Sequence, residues 1–276
     1  MIRTLKAKRK LVALLLGTMA AASPGQVRAE EDMFDGKWHF AVTPYVFVPK
    51  VYGTVTYQLG GTAGSATATV DPNAYLQSLD FFAMVAGEAR KGEGFIFTDY
   101  MYFHLSGDNS VITSVTGPGG RVEVPINQGG SFDVVANVWT LAGGFTVWHK
   151  PAGFLDLFGG MRLLSLNSSA GWSFSTQTGS LAREGSISQT ENIWAGIVGL
   201  KGQVRLGESN WFLPYYGDIG GSSDNWTWQA ALGGGYHFGW GDIVLVGRSL
   251  SYNFSGQLHQ FDLRMTGPML SATFTF

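Results

Sequence analysis

The last ten residues, 267–276, constrain this chain more than any other stretch. Leu270, Ala272, Phe274 and Phe276 fall on one face of an extended segment, and Ser271, Thr273 and Thr275 fall on the other. Side chains alternate with period two along a strand, so this one has an apolar side and a polar side from end to end. Such a strand suits a closed sheet in a bilayer, whose outer face meets hydrocarbon while its inner face lines a lumen. A half-buried strand of a soluble sandwich shares the pattern, and the rest of the chain must separate the two.

The beginning of the chain bears on that choice. Arg3, Lys6, Lys8, Arg9 and Lys10 precede an apolar or small run over residues 11–22, and Val27, Arg28 and Ala29 follow. This is the pattern of a secretory signal peptide over residues 1–29, cleaved before Glu30, with a competing site near Ala22. Nowhere does the chain hold the ~18 consecutive apolar residues that a membrane helix needs, so a membrane protein here must be a barrel, one domain over residues 30–276. Without the signal, 18 Lys+Arg against 20 Asp+Glu become 12 against 20. The resulting net charge of about −8 makes nucleic acid an unsuitable partner. The absence of cysteine removes disulfides, thiolate metal sites and a lipid-modified Cys after the signal.

Alternating segments recur at 37–47, 80–90, 95–104, 132–148, 154–164, 191–206, 211–219, 225–238 and 242–254, before the closing strand. Tight connections rich in Gly, Asn, Pro and Lys join some of them, at 91–94, 150–153, 207–210 and 239–241. Long polar loops join others, at 49–79, 106–130 and 165–190, the first with a small hairpin of its own near 53–57 and 66–70. Long and short connections alternate, which leaves both ends on the periplasmic side of an even-stranded barrel. The expected fold is all-β: a closed antiparallel transmembrane up-and-down β-barrel of ten strands. Eight or twelve follow if the hairpin joins the barrel or a pair is miscounted.

Aromatic residues sort by height along these strands, as membrane girdles require. Trp148, Phe154, Trp211, Phe238, Trp240, Phe274 and Phe276 lie beside the short turns; Phe103, Trp139, Trp194, Trp226 and Trp228 lie near the opposite boundary. Arg264 has lipid-facing parity, twelve positions from Phe276, where headgroups of the outer leaflet could receive it. Parity sends Glu88, Arg90, Asp99, Asp156, Arg162, Lys201, Arg205 and Arg248 into the lumen. A charge facing lipid at mid-depth costs about 2–4 kcal/mol, so these groups are expected to sit inside and pair. They form either a structural network filling a narrow interior or a charged constriction for small solutes.

Several spacings resemble Gram-negative outer-membrane barrel proteins of the porin-like kind, a group without an established function. They are Trp38 with Pro44 and Tyr45; Leu79, Asp80 and Phe81 with Glu88 and Arg90; Asp99 with Tyr102; Gly160 with Arg162; Pro214, Tyr215 and Asp218 with Gly220; Trp228, Gln229 and Gly235 with Tyr236; Arg248; and Phe276. The resemblance implies a fold and an outer-membrane location and carries no catalytic residue. The chain's end is similar to the C-terminal strand of such barrels, which implies that Phe274 and Phe276 are read by the barrel-assembly machinery during insertion.

Other chemistry finds little support. The histidines, His39, His104, His149, His237 and His259, share no metal-ligand spacing, and no metal or cofactor is expected. Outer-membrane proteases of the omptin kind also have ten strands and activate water with rim Asp and His residues. His104 with Asp108, and His259 with Asp262, are the nearest counterparts here, but their order and neighbours differ. Ser168 and Ser169 lack a triad motif, and Gly233–Gly235 lie in a strand rather than before a helix, so they are no phosphate loop. The expected role is structural or surface-interacting and non-catalytic, with a narrow pore as an added feature. Its partners are outer-membrane lipid and lipopolysaccharide. A small-solute channel with a charged lumen is the alternative, and an omptin-type rim hydrolase a further one.

Overall fold

Stretches rich in Val, Phe, Tyr, Trp and Thr with period-two alternation favour a pleated, half-buried backbone, and strands account for nearly all of the described chain. The computed structural model describes residues 33–59, 62–70, 79–107, 114–116, 123–124, 130–174, 183–223, 225–255 and 259–276. The signal-peptide reading over 1–29 lies outside them. The strands are β1 (Trp38–Phe47), β2 (Lys50–Leu59), β3 (Thr62–Val70), β4 (Leu79–Lys91), β5 (Gly94–Gly107), β6 (Ser114–Thr116) and β7 (Glu123–Val124). They continue with β8 (Gly130–Lys150), β9 (Gly153–Phe174), β10 (Arg183–Arg205), β11 (Trp211–Gly221), β12 (Asn225–Phe238), β13 (Gly241–Ser255) and β14 (His259–Thr275).

Ten of these, β1, β4, β5 and β8 to β14, pair antiparallel in sequence order, and β1 closes on β14. At the seam Ala41 opposes Thr275 and Phe47 opposes Met269, while Phe40 and Phe276 exchange backbone hydrogen bonds of 3.1 and 2.8 Å. Closure pairs each of these ten strands on both sides, the condition for a sheet in hydrocarbon. The four tight turns stand where the sequence placed them. Gly92 and Gly207 adopt φ of +56° and +65° there, a region that a side chain disfavours.

Of the regions expected as loops, the first holds the hairpin expected in it, in longer form, and the third is mostly strand. The segment 49–79 contains β2 and β3. β2 runs along β14 in the register that β1 began, with Lys50 opposite Thr266 and Tyr57 opposite His259. The hairpin therefore lengthens the first barrel strand and adds none to the count of ten. Likewise β9 and β10 continue through most of 165–190, with Ser168 opposite Gln189 and Phe174 opposite Arg183. These stretches lie beyond the hydrocarbon, where neither face must be apolar. Ladder hydrogen bonds hold them without the alternation that marks a membrane strand.

The surface is inverted relative to a soluble protein. Leu232, Val198 and Ile96 point outward at 65%, 61% and 59% exposure. A continuous lower girdle runs Trp211, Tyr236, Phe238, Trp240 and Phe274, with ring centres 5.1, 4.7, 5.6 and 5.3 Å apart in turn. At the upper border Trp139 meets Trp194 edge-on. Two residues assigned to these girdles belong to the interior. Phe154 lies by the Arg90 guanidinium, and Phe103 packs on the apolar layer that closes the lumen.

Candidate functional site

Alternation turns the odd residues of β5 and the even residues of β4, β8, β9, β11 and β13 into the lumen, and side chains of those strands meet there as stacked layers. The layer nearest the short turns is ionic. Arg90 binds Asp156 at 2.5 Å, Glu88 at 2.9 Å and Thr146 Oγ1 at 2.7 Å. The Thr146 hydroxyl donates to Asp156 at 2.6 Å. Lys201 bonds Glu88 and stands 3.8 Å from Asp156. The rings of Phe34, Phe95 and Phe154 surround the Arg90 guanidinium at 5.4, 4.6 and 5.5 Å, and Phe34 also stacks on His149. The residues just before β1 thus cover this layer from the periplasmic side. Asp35, beside them and outside the membrane-spanning strands, is held well below the usual carboxylate range, first by the His39 side chain at 2.9 Å and then by the Lys37 amide at 2.8 Å.

Above it Phe95, Phe97, Ala142, Phe158 and Ile197 form an apolar layer, and Gly235 leaves room beside it for Phe212, whose ring a Cβ at that position would strike. Two further ion pairs follow. Arg162 bonds both carboxylate oxygens of Asp218, one at 2.9 Å, and donates to Thr140 Oγ1 at 3.1 Å; Tyr216 donates to Asp218 at 2.6 Å. Arg248 donates to Asp99 at 2.8 Å and to Gln229 at 3.0 Å, and Tyr45 donates to Asp99 at 2.6 Å. Next comes a roof of Tyr45, Phe47, Met101, Val138, Leu164, Ile193, Leu250, Tyr252 and Met265, none more than 6% exposed.

The charges that parity sends inward group as follows. Glu88, Arg90, Asp156 and Lys201 form one neutral cluster, Asp99 and Arg248 a second, and Arg162 a third. Arg205 sits lower, half-buried at the periplasmic end, where its amide bonds the Ala152 carbonyl at 2.9 Å. Asp218 was not among the expected lumen charges. The signal for it lay in the chain: Trp211, Leu213 and Ile219 share the outer face, so residue 218 faces in, and five expected cations against three acids left a carboxylate to be found. Arg90, Arg162 and Arg248 are at most 3% exposed. A cavity of about 360 Å³ remains on the periplasmic side, bordered by Thr43, Tyr45, Asp99, Gln229, Arg248 and Ser271.

His104 has the outward parity of Ile96 and Tyr100. Asp108 and the side chain of His259 lie outside the described residues. Among the described residues no group of three or more His, Asp or Glu could hold a metal ion.

The fold matches a solved barrel over most of the chain. The outer membrane protease OmpT from Escherichia coli superposes with a TM-score of 0.52 at 12% identity, over 92% of this chain and 100% of that one. This chain has the fold of that barrel, a closed antiparallel β-barrel of ten strands. The translocator domain of the autotransporter NalP from Neisseria meningitidis gives 16% identity and a TM-score of 0.36, over 99% and 96% of the two chains. The attachment invasion locus protein Ail of Yersinia pestis gives 9% and 0.29, over 87% and 98%. No family model matches the chain, and no curated protein matches it. At such identities the likeness is one of fold, and the barrel's role must come from its own residues.

Proposed function

We propose that this barrel is a non-conducting, non-catalytic anchor that presents a wall of strands above the outer leaflet for contact with other molecules. The observation that carries the reading is the order of the lumen: among the described residues, neutral ion pairs alternate with apolar layers, and a roof from Tyr45 to Met265, none of it more than 6% exposed, lies above Arg162 and Arg248. An eight-stranded barrel is just filled by side chains, and ten strands widen it little. The wall consists of β8, β9 and β10, which pass the girdle at Trp139, Leu163 and Trp194 and continue to Gly130, Phe174 and Arg183. That is about ten residues further, or roughly 30 Å along each strand.

Purified protein in planar bilayers is expected to give no single-channel steps; reproducible steps would refute the sealed lumen. Joining Leu166 to Glu191, which face each other across β9 and β10, through a short turn should leave a folded barrel with diminished attachment of cells to their surfaces. Unchanged attachment would refute the wall's role. A solute channel is the second reading, supported by the periplasmic cavity, and it predicts conductance in the unmodified protein.

A further inference from the structure

The outer face carries a polar interruption that the lumen does not require. On β13, β14 and β2, Ser251 opposes Arg264 and Arg264 opposes Tyr52; one step nearer the periplasm, Ser249 opposes Thr266 and Thr266 opposes Lys50. On β12, Trp228 lies opposite Ser251 and Trp226 opposite Asn253. All have the parity of Leu232, Leu245 and Leu270, which point into lipid. A groove of about 760 Å³ opens among Lys50, Tyr52, Ser251, Asp262, Arg264 and Thr266.

Height decides what the groove meets. Arg264 stands twelve residues from Phe276 on β14, and a strand crosses the hydrocarbon in about 9–11. The groove is thus level with the outer headgroups. Its charges complement an anion. The Arg264 guanidinium lies 5.7 Å from the Trp228 ring centre and the Lys50 ammonium 5.3 Å from that of Tyr52, so both cations are held at the surface. The carboxylate nearby, Asp262, already accepts the Asn253 amide. Ser249 and Thr266 hydroxyls lie 2.7 Å apart beside them. A guanidinium fork fits a phosphate, hydroxyls fit a sugar's hydroxyls, and an indole face fits a sugar ring's apolar side. Below the groove, Val46, Leu245 and Leu270 form an exposed apolar wall. Acyl chains can cover that wall, which a free phosphate would leave bare.

From this juxtaposition we infer that Lys50 and Arg264, with Tyr52 and Trp228, bind the phosphorylated sugar headgroup of an outer-leaflet glycolipid. The inference rests on the outer-membrane location and is independent of whether the lumen conducts.

The test titrates the processed, detergent-folded protein with lipid A bearing its phosphates, with the same lipid dephosphorylated, and with inorganic phosphate, following bound lipid by native mass spectrometry. Dephosphorylation is expected to weaken binding by about tenfold or more, the scale of a lost charge-assisted contact. Lys50→Ala with Arg264→Ala should weaken the phosphorylated lipid alike and leave the dephosphorylated one unchanged, and Arg264→Lys should restore part of the loss. Equal binding of the two lipids by the unmodified protein would overturn the inference. So would a folded double variant that binds phosphorylated lipid normally, or inorganic phosphate displacing lipid at equal concentration, which marks a free-anion site. Should the double variant fail to fold, the two lipids compared on the unmodified protein still decide.

Discussion

Arg162 and Asp218 are both fully buried, and the cost of separating them can be worked from their geometry. At 2.9 Å and an effective dielectric of ~20, their gross attraction is about 6 kcal/mol. Desolvating two ions costs several kcal/mol each, so the pair adds little net stability, while a lone survivor is strongly unfavourable. Asp218→Leu leaves the guanidinium with the Thr140 and Thr227 hydroxyls at 3.1 and 3.5 Å. The expected loss is about 3–5 kcal/mol, and Arg162→Met should lose a similar amount. The double substitution removes both charges and leaves chiefly the Tyr216 and Thr140 hydroxyls short of a partner, so it should fall within about 2 kcal/mol of the parent. The coupling energy then exceeds about 3 kcal/mol, measured by urea unfolding in lipid vesicles with tryptophan fluorescence. Single losses under about 1 kcal/mol, or a double variant additive within about 0.5 kcal/mol, would refute the reasoning.

Position on the outer face should set the cost of a charge. Leu232→Arg, at mid-height, should cost about 2–4 kcal/mol in the same assay, whereas Arg264→Leu near the headgroups should change stability by less than about 1 kcal/mol; equal effects would contradict the assigned depths. Gly92→Ala, at φ +56°, should lose about 1 kcal/mol from the first tight turn, and an unchanged unfolding midpoint would show that the turn relaxes freely. Because His39 and Lys37 favour the Asp35 carboxylate, its stabilisation is complete above the unfolded-state pKa and is lost as pH falls through the lowered folded value. A carboxyl NMR titration should therefore place Asp35 below about 3.9, the free aspartate value, and a midpoint at or above that value would remove the clasp.

Membrane strands were legible because hydrocarbon imposes a rule on alternate positions. Val198, Leu200 and Val204 against Lys201 and Gln203 could be assigned to faces from β10 alone, and tight turns such as 91–94 followed from their glycines. Where the sheet rises beyond the membrane that rule lapses, and the Ser/Thr/Gly tract of β9 and β10 gave no sign of being strand; its ladder is visible only once Ser168 is seen opposite Gln189. The hairpin β2–β3 was located, yet its register along β14, which decides whether it widens or lengthens the barrel, depends on residues about two hundred positions away.

The polypeptide's own pattern determined that the chain closes as a barrel in a membrane, which side chains face lipid, and that the inward charges must pair, because each follows from period two and the cost of ions in hydrocarbon. Tertiary structure alone decided which charge meets which. Arg162 finds Asp218 fifty-six residues away, and Arg248 finds Asp99 across 149. The distance between strands around a closed sheet is set by shear and stagger, quantities that no single strand encodes.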